Sequence, residues 1–227
     1  AAALPFDAYR KRELALAAAE LADDDEAASI IGGLFDADPL DSEVAVKLDE
    51  IQRRRGDRSA LRALWKKRVE IAEDASTRAA YRRELAELAA EDGDDALAIL
   101  TLRTSVEESS DSDSFSRLVE ILAARDKHVE LCTLLEEHAA RLAQRGESAR
   151  AAKLWERAAE VAELQLRALE RAIIAREKGL ALQEDRASRE TLVRLLEQRG
   201  HWARAAKSLE ILRTDALADE ADAITVR

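Results

Sequence analysis

The chain has 227 residues, 47% of them hydrophobic and 37% charged, with a formal net charge of −11 and only 7 Gly and 2 Pro. An acidic balance of that size repels phosphate backbones and anionic lipid, so nucleic-acid binding is not expected. Strong helix formers with few breakers predict an all-α fold. A single cysteine, Cys132, precludes an intrachain disulfide framework, and no apolar stretch approaches the roughly 20 residues needed to span a bilayer.

Read in chain order, the hydrophobic spacing gives about twelve helices in six antiparallel hairpins. The first hairpin spans 6–39 and closes at Asp36-Ala37-Asp38-Pro39, because Pro39 cannot continue a helix. The second spans 42–74, and Gly56 supplies the left-handed residue that ends one helix and starts the next. The third spans 77–110 around Gly93. The polar run Ser109 to Ser114 is the next turn, with Asp113 or Ser114 as N-cap of the helix that opens hairpin 113–145. The fifth hairpin, 147–184, lacks punctuation: no Gly or Pro interrupts Ser148 through Lys178, yet the spacing asks for a turn near Ala162 to Gln165. A sixth hairpin spans 187–213, and an acidic tail, 214–227, frays or covers it.

One helical pattern occurs three times. Leu48-Asp49-Glu50-Ile51 runs to Arg55-Gly56, Leu118-Val119-Glu120-Ile121 to Arg125-Asp126, and Leu192-Val193-Arg194-Leu195 to Arg199-Gly200. The offsets from Leu48 to Leu118 and from Leu118 to Leu192 are 70 and 74 residues. Self-similarity of this kind marks stacked repeats, in which each unit exposes an apolar face that only its neighbour covers.

A hairpin of about 34 residues with small residues at the helix contact resembles the tetratricopeptide repeat family. Three stretches carry the resemblance. Leu14-Ala15 with Ala18 is followed by Ala27, Ile31, Leu34 and Pro39; Leu85-Ala86 with Ala89 by Gly93, Ala98 and Leu102; and Gly200-His201-Trp202 by Ala205 and Leu209. Other hairpins depart from the pattern. Asp49 and Val193 stand where a small first-helix residue belongs, and Leu61 and Leu131 replace the second-helix alanine, so pairing there should be wider. Gly146, Ala151, Trp155 and Ala158 also match a second helix, which leaves the phase of that region open. The resemblance implies an α-solenoid with a right-handed superhelix, over a single repeat domain 1–227, and alternation of matched with divergent hairpins suits bacterial scaffold proteins of the family.

Chemistry is sparse. His128 and Cys132 share a helix face, a possible spacing for two metal ligands, but His138 lies off that face and no CxxC or HxxxH accompanies them. Asp111-Ser112-Asp113 opens like a calcium loop, but Phe115 and Leu122 occupy ligand positions. Ser109 to Ser114 could accept a phosphate, although a plain turn explains it. Trp65, Trp155 and Trp202 recur on second helices, where core packing is expected. The basic runs Arg10 to Arg12, Arg53 to Arg55, Lys66 to Arg68 and Arg82-Arg83 read as solvated faces. The family's carboxylate clamp uses paired Lys and Asn, and the chain has no Asn.

The expectation is therefore a non-catalytic scaffold that binds a protein or peptide, without cofactor, metal, nucleic acid or membrane insertion, soluble and cytoplasmic. The absence of any Met, including at the start, points to a fragment or processed form, and so to the alternative of a regulatory or sensor module from a larger kinase, protease or transcription regulator. The resemblance places the concave surface on first helices, at Tyr9, Arg12, Glu43, Val46, Glu50, Arg53, Arg83, Glu87, Ser116, Glu120, Glu190 and Arg194.

Overall fold

The computed structural model describes the backbone of residues 6–109 and 111–225 and the side chains of residues 9–109 and 111–214. Among the described residues are twelve α-helices and no strand: α1 Phe6–Leu21, α2 Asp24–Ala37, α3 Ser42–Arg55, α4 Arg58–Ile71, α5 Ala75–Glu91, α6 Asp95–Ser109, α7 Ser112–Ala124, α8 His128–Gln144, α9 Ser148–Glu160, α10 Leu169–Leu182, α11 Arg186–Gln198 and α12 Trp202–Thr225. The chain resolves into two compact units, Ala1–Ile121 and Leu122–Arg227. Within each, most helices pack against the next helix in the chain.

Local chemistry explains the helix ends. Side chains of Asp23, Asp41, Asp57, Asp74 and Asp185 accept hydrogen bonds from otherwise unpaired N–H groups in the first turns of α2, α3, α4, α5 and α11. At α7 the cap is Asp111, not Asp113 or Ser114: its carboxylate accepts the Ser114 N–H at 2.8 Å. Ser114 is itself buried, donating its hydroxyl to Ser105 Oγ at 2.9 Å, and so is unavailable as a cap.

The tight connections repeat one device. A residue at positive φ ends the helix, and the next N–H reaches back five residues, as in Asp57 N–H to Gln52 O at 3.0 Å and Glu147 N–H to Leu142 O at 3.0 Å, past Gly56 and Gly146. Asp126 does the same without being glycine. The unpunctuated stretch does turn, but after Gln165 rather than within Ala162 to Gln165. Residues Val161–Gln165 form a π-helical turn, Arg167 takes φ 52, and Ala168 N–H bonds to Ala162 O at 2.8 Å. The reach is six residues, because the π-turn inserts one more into the same motif.

In Ala1–Ile121, Leu16, Ile31, Phe35, Val44, Leu48, Ile51, Leu61, Leu64, Trp65 and Leu88 form one buried cluster. The helix pairs within it close differently. In α5 and α6, Ala86, Ala89 and Ala98 are buried, and the two backbones stay close along much of their length. In α3 and α4 the backbones come close over far less of their length. Trp65 of α4 donates its indole N–H to Asp49 of α3 at 2.8 Å, filling the gap that Asp49 and Leu61 open. Behind Trp65, Arg68 is 2% exposed, donates to Ser42 Oγ at 3.2 Å and to the Tyr81 hydroxyl, and stacks 4.2 Å from the Tyr81 ring centre.

One expected packing position fails. Leu14 is 63% exposed, and Leu16 is buried in its place. Arg12 of α1 donates to Asp41 beside α3, so the stripe of Arg12, Leu16 and Ala19 faces inward and Leu14 turns away.

In Leu122–Arg227, α9 packs closely against both α8 and α10. Ala151, Ala158, Ala159, Ala162, Ala172 and Ala175 are buried at those contacts. Gly179 of α10 sits so close that a Cβ would lie 3.3 Å from Trp155 Cβ. Trp155 is buried, as Trp65 is, but Trp202 is 66% exposed. It occupies the first position of α12, off the stripe of Ala205 and Ser208 that faces the core. Side chains of the acidic tail beyond 214 lie outside the described residues.

Candidate functional site

Eight of the twelve expected surface residues form ion pairs. Arg12 donates to Asp41 at 2.6 Å and to Glu43 at 2.6 Å. Arg53 pairs with Asp49 at 2.6 Å and approaches Glu84 at 3.8 Å. Arg83 pairs with Asp111 at 2.5 Å, and Arg117 donates to Glu87 at 2.7 Å and to Glu120 at 3.0 Å. In Ala1–Ile121 these contacts run α1 to α3, α3 to α5 and α5 to α7, a ladder of charges between first helices. In the other unit, Glu190 pairs with Arg186 at 3.1 Å and Arg194 with Glu163. Tyr9, Val46, Glu50 and Ser116 are exposed, with Tyr9 and Val46 presenting apolar surface.

The spacing of these pairs has a geometric cause. Arg54 with Asp24, Arg55 with Asp25, Arg62 with Asp92, Arg78 with Glu108 and Arg117 with Glu87 all lie 30 residues apart. Arg117 with Glu87 joins the first helices of successive hairpins, about one 34-residue repeat less one helical turn apart, whereas the other four pairs join helices consecutive in the chain, whose combined length sets the offset. Each exposed pair contributes only about 0–1 kcal/mol, so the ladder fixes the register of adjacent hairpins more than it stabilises them.

Electrostatics shift several of these groups. Hydrogen bonding from Arg12 holds the Asp41 carboxyl below its ordinary range. For Asp111, burial acts upward, but hydrogen bonds from Ser114 and Arg83 outweigh it and the net shift is downward. Cys132 is fully buried; burial, then the nearby Glu136 charge, push its thiol up to about 11, the opposite of an activated nucleophile. The thiol donates to the Ala158 carbonyl at 3.4 Å, and Glu136 is held by Arg171 at 2.8 Å. His128 lies 3.5 Å from Asp126. Among the described residues no group of three His, Cys, Asp or Glu is placed to hold a metal ion. No described helix is long and apolar enough to cross a membrane.

Two features around α9 escaped the sequence reading. Arg150, Lys153 and Arg157 are exposed at intervals of three and four residues, so they share one face; a scan for consecutive basic residues passes over them. Beside them is a cavity of about 120 Å³ lined by Ala152, Lys153, Glu156, Gly179, Leu180, Gln183, Asp185 and Ser188, with Arg176 of α10 in its wall. Arg176 is 5% exposed. Its Nη1 donates to Ser188 Oγ at 3.3 Å, while Glu156 and Glu163 stand at 3.7 and 3.8 Å, outside hydrogen-bond reach. Its Nε is buried without a partner. Burial first, and then Arg141, Arg150 and Arg145 against the opposing charge of Glu147, lower the pKa of His138, and Arg150 is itself paired with Glu147 at 2.5 Å.

No protein-family model matches the chain, and no curated protein matches its sequence. Among solved structures it is similar to a putative kinesin light chain with nearly identical TPR-like repeats from Podospora anserina, at 20% identity and a TM-score of 0.43, covering 76% of this chain and 91% of that one. It is similar to a tetratricopeptide repeat protein from Parabacteroides merdae, at 15% identity and a TM-score of 0.43, covering 90% and 80%. It is also similar to the TPR2AB domain of yeast Sti1 in its complex with pHSP90, at 14% identity and a TM-score of 0.38, covering 96% and 94%.

Proposed function

We infer that the protein is a non-catalytic scaffold that binds a protein or peptide along the first helices of one continuous array of six hairpins, 1–227. The observation that carries this reading is the ladder of ion pairs between α1, α3, α5 and α7. It fixes the spacing of successive first helices and leaves Tyr9, Val46, Glu50 and Ser116 projecting between the charged pairs. A pre-organised surface of alternating apolar and paired charged groups suits an extended peptide, because little side-chain entropy is lost when it binds. The chemistry beside it supports the same conclusion: the thiol is buried and raised, and the carboxyls with shifted pKa are lowered by their partners, so none is poised as a general acid.

The test is cross-linking mass spectrometry on partners captured with the whole chain. The scaffold reading expects a saturable, stoichiometric partner whose cross-links cluster on α1, α3, α5, α7 and α11. Capture of nothing reproducible, or cross-links confined to other helices, would contradict it.

A further inference from the structure

Between α1, α2 and α3 lies a cavity of about 270 Å³ lined by two kinds of chemistry. Leu16, Ile31 and Ile51 are buried and apolar, with half-buried Ala19 and Ala22 beside them, and Glu20, Lys47, Glu50 and Arg54 complete the lining. The cations among these are already spent. Lys47 bonds Glu20 at 3.0 Å, and Arg54, one helical turn beyond Glu50, bonds Asp24 at 2.9 Å instead. Glu50 is exposed and in no ion pair among the described residues. The same surplus of carboxylates runs along the ladder: Arg12 is shared by Glu13, Asp41 and Glu43, Arg53 by Asp49 and Glu84, and Arg117 by Glu87 and Glu120. Each of these arginines faces more negative charge than it can neutralise, so the first-helix surface of this unit is acidic around an apolar cavity.

We propose that this cavity seats one large apolar side chain of a basic peptide, whose flanking Lys or Arg residues pair with Glu50 and with the surplus carboxylates of the ladder. The apolar residues of the lining offer no hydrogen-bonding side chain, so a charged or amide group buried against them would go uncompensated. The volume fits the occupant, since it exceeds the roughly 150 Å³ in which an apolar cavity holds a benzene ring. An acidic surface repels acidic segments and nucleic acid alike and draws a cationic segment toward it. This inference rests on the reading of the protein as a peptide-binding scaffold and names the chemistry of the peptide.

The test is fluorescence anisotropy with the whole chain and three labelled peptides: one of Lys and Ala with a central Leu, the same peptide with that Leu replaced by Ala, and a Glu counterpart that keeps the Leu. The Lys/Leu peptide should bind saturably, and loss of its Leu should weaken it about tenfold, the weight of a large apolar side chain taken out of water. The Glu/Leu peptide should not saturate. Ala19→Leu fills the cavity from within, so this variant should bind the two Lys peptides equally. Because a half-buried position can matter for folding, the exposed variant Glu50→Lys gives a parallel test, and it should weaken the Lys/Leu peptide about fivefold while its thermal melt stays unchanged. Equal binding of the Lys and Glu peptides, no dependence on the Leu, or an Ala19→Leu variant that still prefers it would each overturn the proposal. If one of these results appears while partners still cross-link to α1, α3, α5 and α7, the inference falls and the scaffold reading stands; if Leu-dependent binding holds and no partner is captured, the scaffold reading alone falls.

Discussion

The hairpins α3–α4 and α5–α6 close the same kind of gap with opposite materials. In α5–α6, buried alanines let two backbones approach, so attraction is spread over many atoms in van der Waals contact. In α3–α4, Asp49 and Leu61 hold the helices apart, and one hydrogen bond from Trp65 spans the space. The difference shows that divergence from a repeat pattern need not weaken a repeat: a polar residue at a small-residue position is stable when a long donor on the facing helix reaches it.

Volume changes separate the two hairpins most sharply. Leu61→Ala should cost about 2–5 kcal/mol through the cavity it leaves. Ala98→Leu should cost about 1–3 kcal/mol, because the closely approached α5–α6 pair has no room. Urea denaturation of both variants checks the pair; a neutral Ala98→Leu would mean that small residues do not set that spacing. Asp49→Ala comes next, with a loss of about 1–3 kcal/mol as the indole N–H is left without its acceptor. A double-mutant cycle with Trp65→Phe should show the two losses to be strongly non-additive, and simple additivity would sever the proposed bond.

Acid should then probe the ladder. Asp41 titrates lower in the folded chain than in the unfolded one, so its contribution is complete above the unfolded carboxyl value of about 3.9 and disappears as pH falls through the lower folded value. Arg12→Gln should therefore flatten the acid limb of a stability-versus-pH curve while leaving the α5–α6 contact unaffected; an unchanged slope would remove Arg12 as the cause. The smallest effect belongs to the π-turn. Arg167→Gly should raise stability by about 1 kcal/mol, since glycine adopts positive φ without the side-chain penalty, and a loss there would mean that the Arg167 side chain makes a contact of its own.

Much of the helical framework was legible because its signals are local. Gly56 and Gly93 fall at positive φ where the turns lie, and Leu85, Ala86, Ala89, Ala98 and Leu102 are all buried as the small-residue pattern implies. Two of the misplacements depend on a contact made elsewhere in the chain, and the third on where its helix begins. Leu14 is exposed because Arg12 reaches Asp41, the α7 cap moves to Asp111 because Ser105 holds Ser114, and Trp202 stands outside the stripe its helix buries. The charge ladder was hidden for the same reason, since Arg12, Glu43, Arg83 and Glu87 look like solvated residues until the hairpins stack. Arg176 was invisible to any motif, because its burial beside Ser188, Glu156 and Glu163 appears only once α9, α10 and α11 pack.

The most direct measurement is quantitative capture with the native chain and with the variant Val46→Glu/Glu50→Lys, which alters the exposed first-helix surface and leaves the ion-pair ladder in place. The scaffold reading predicts a stoichiometric partner retained by the native chain and lost by the variant, with identical thermal melts for the two. Equal recovery on both would contradict it.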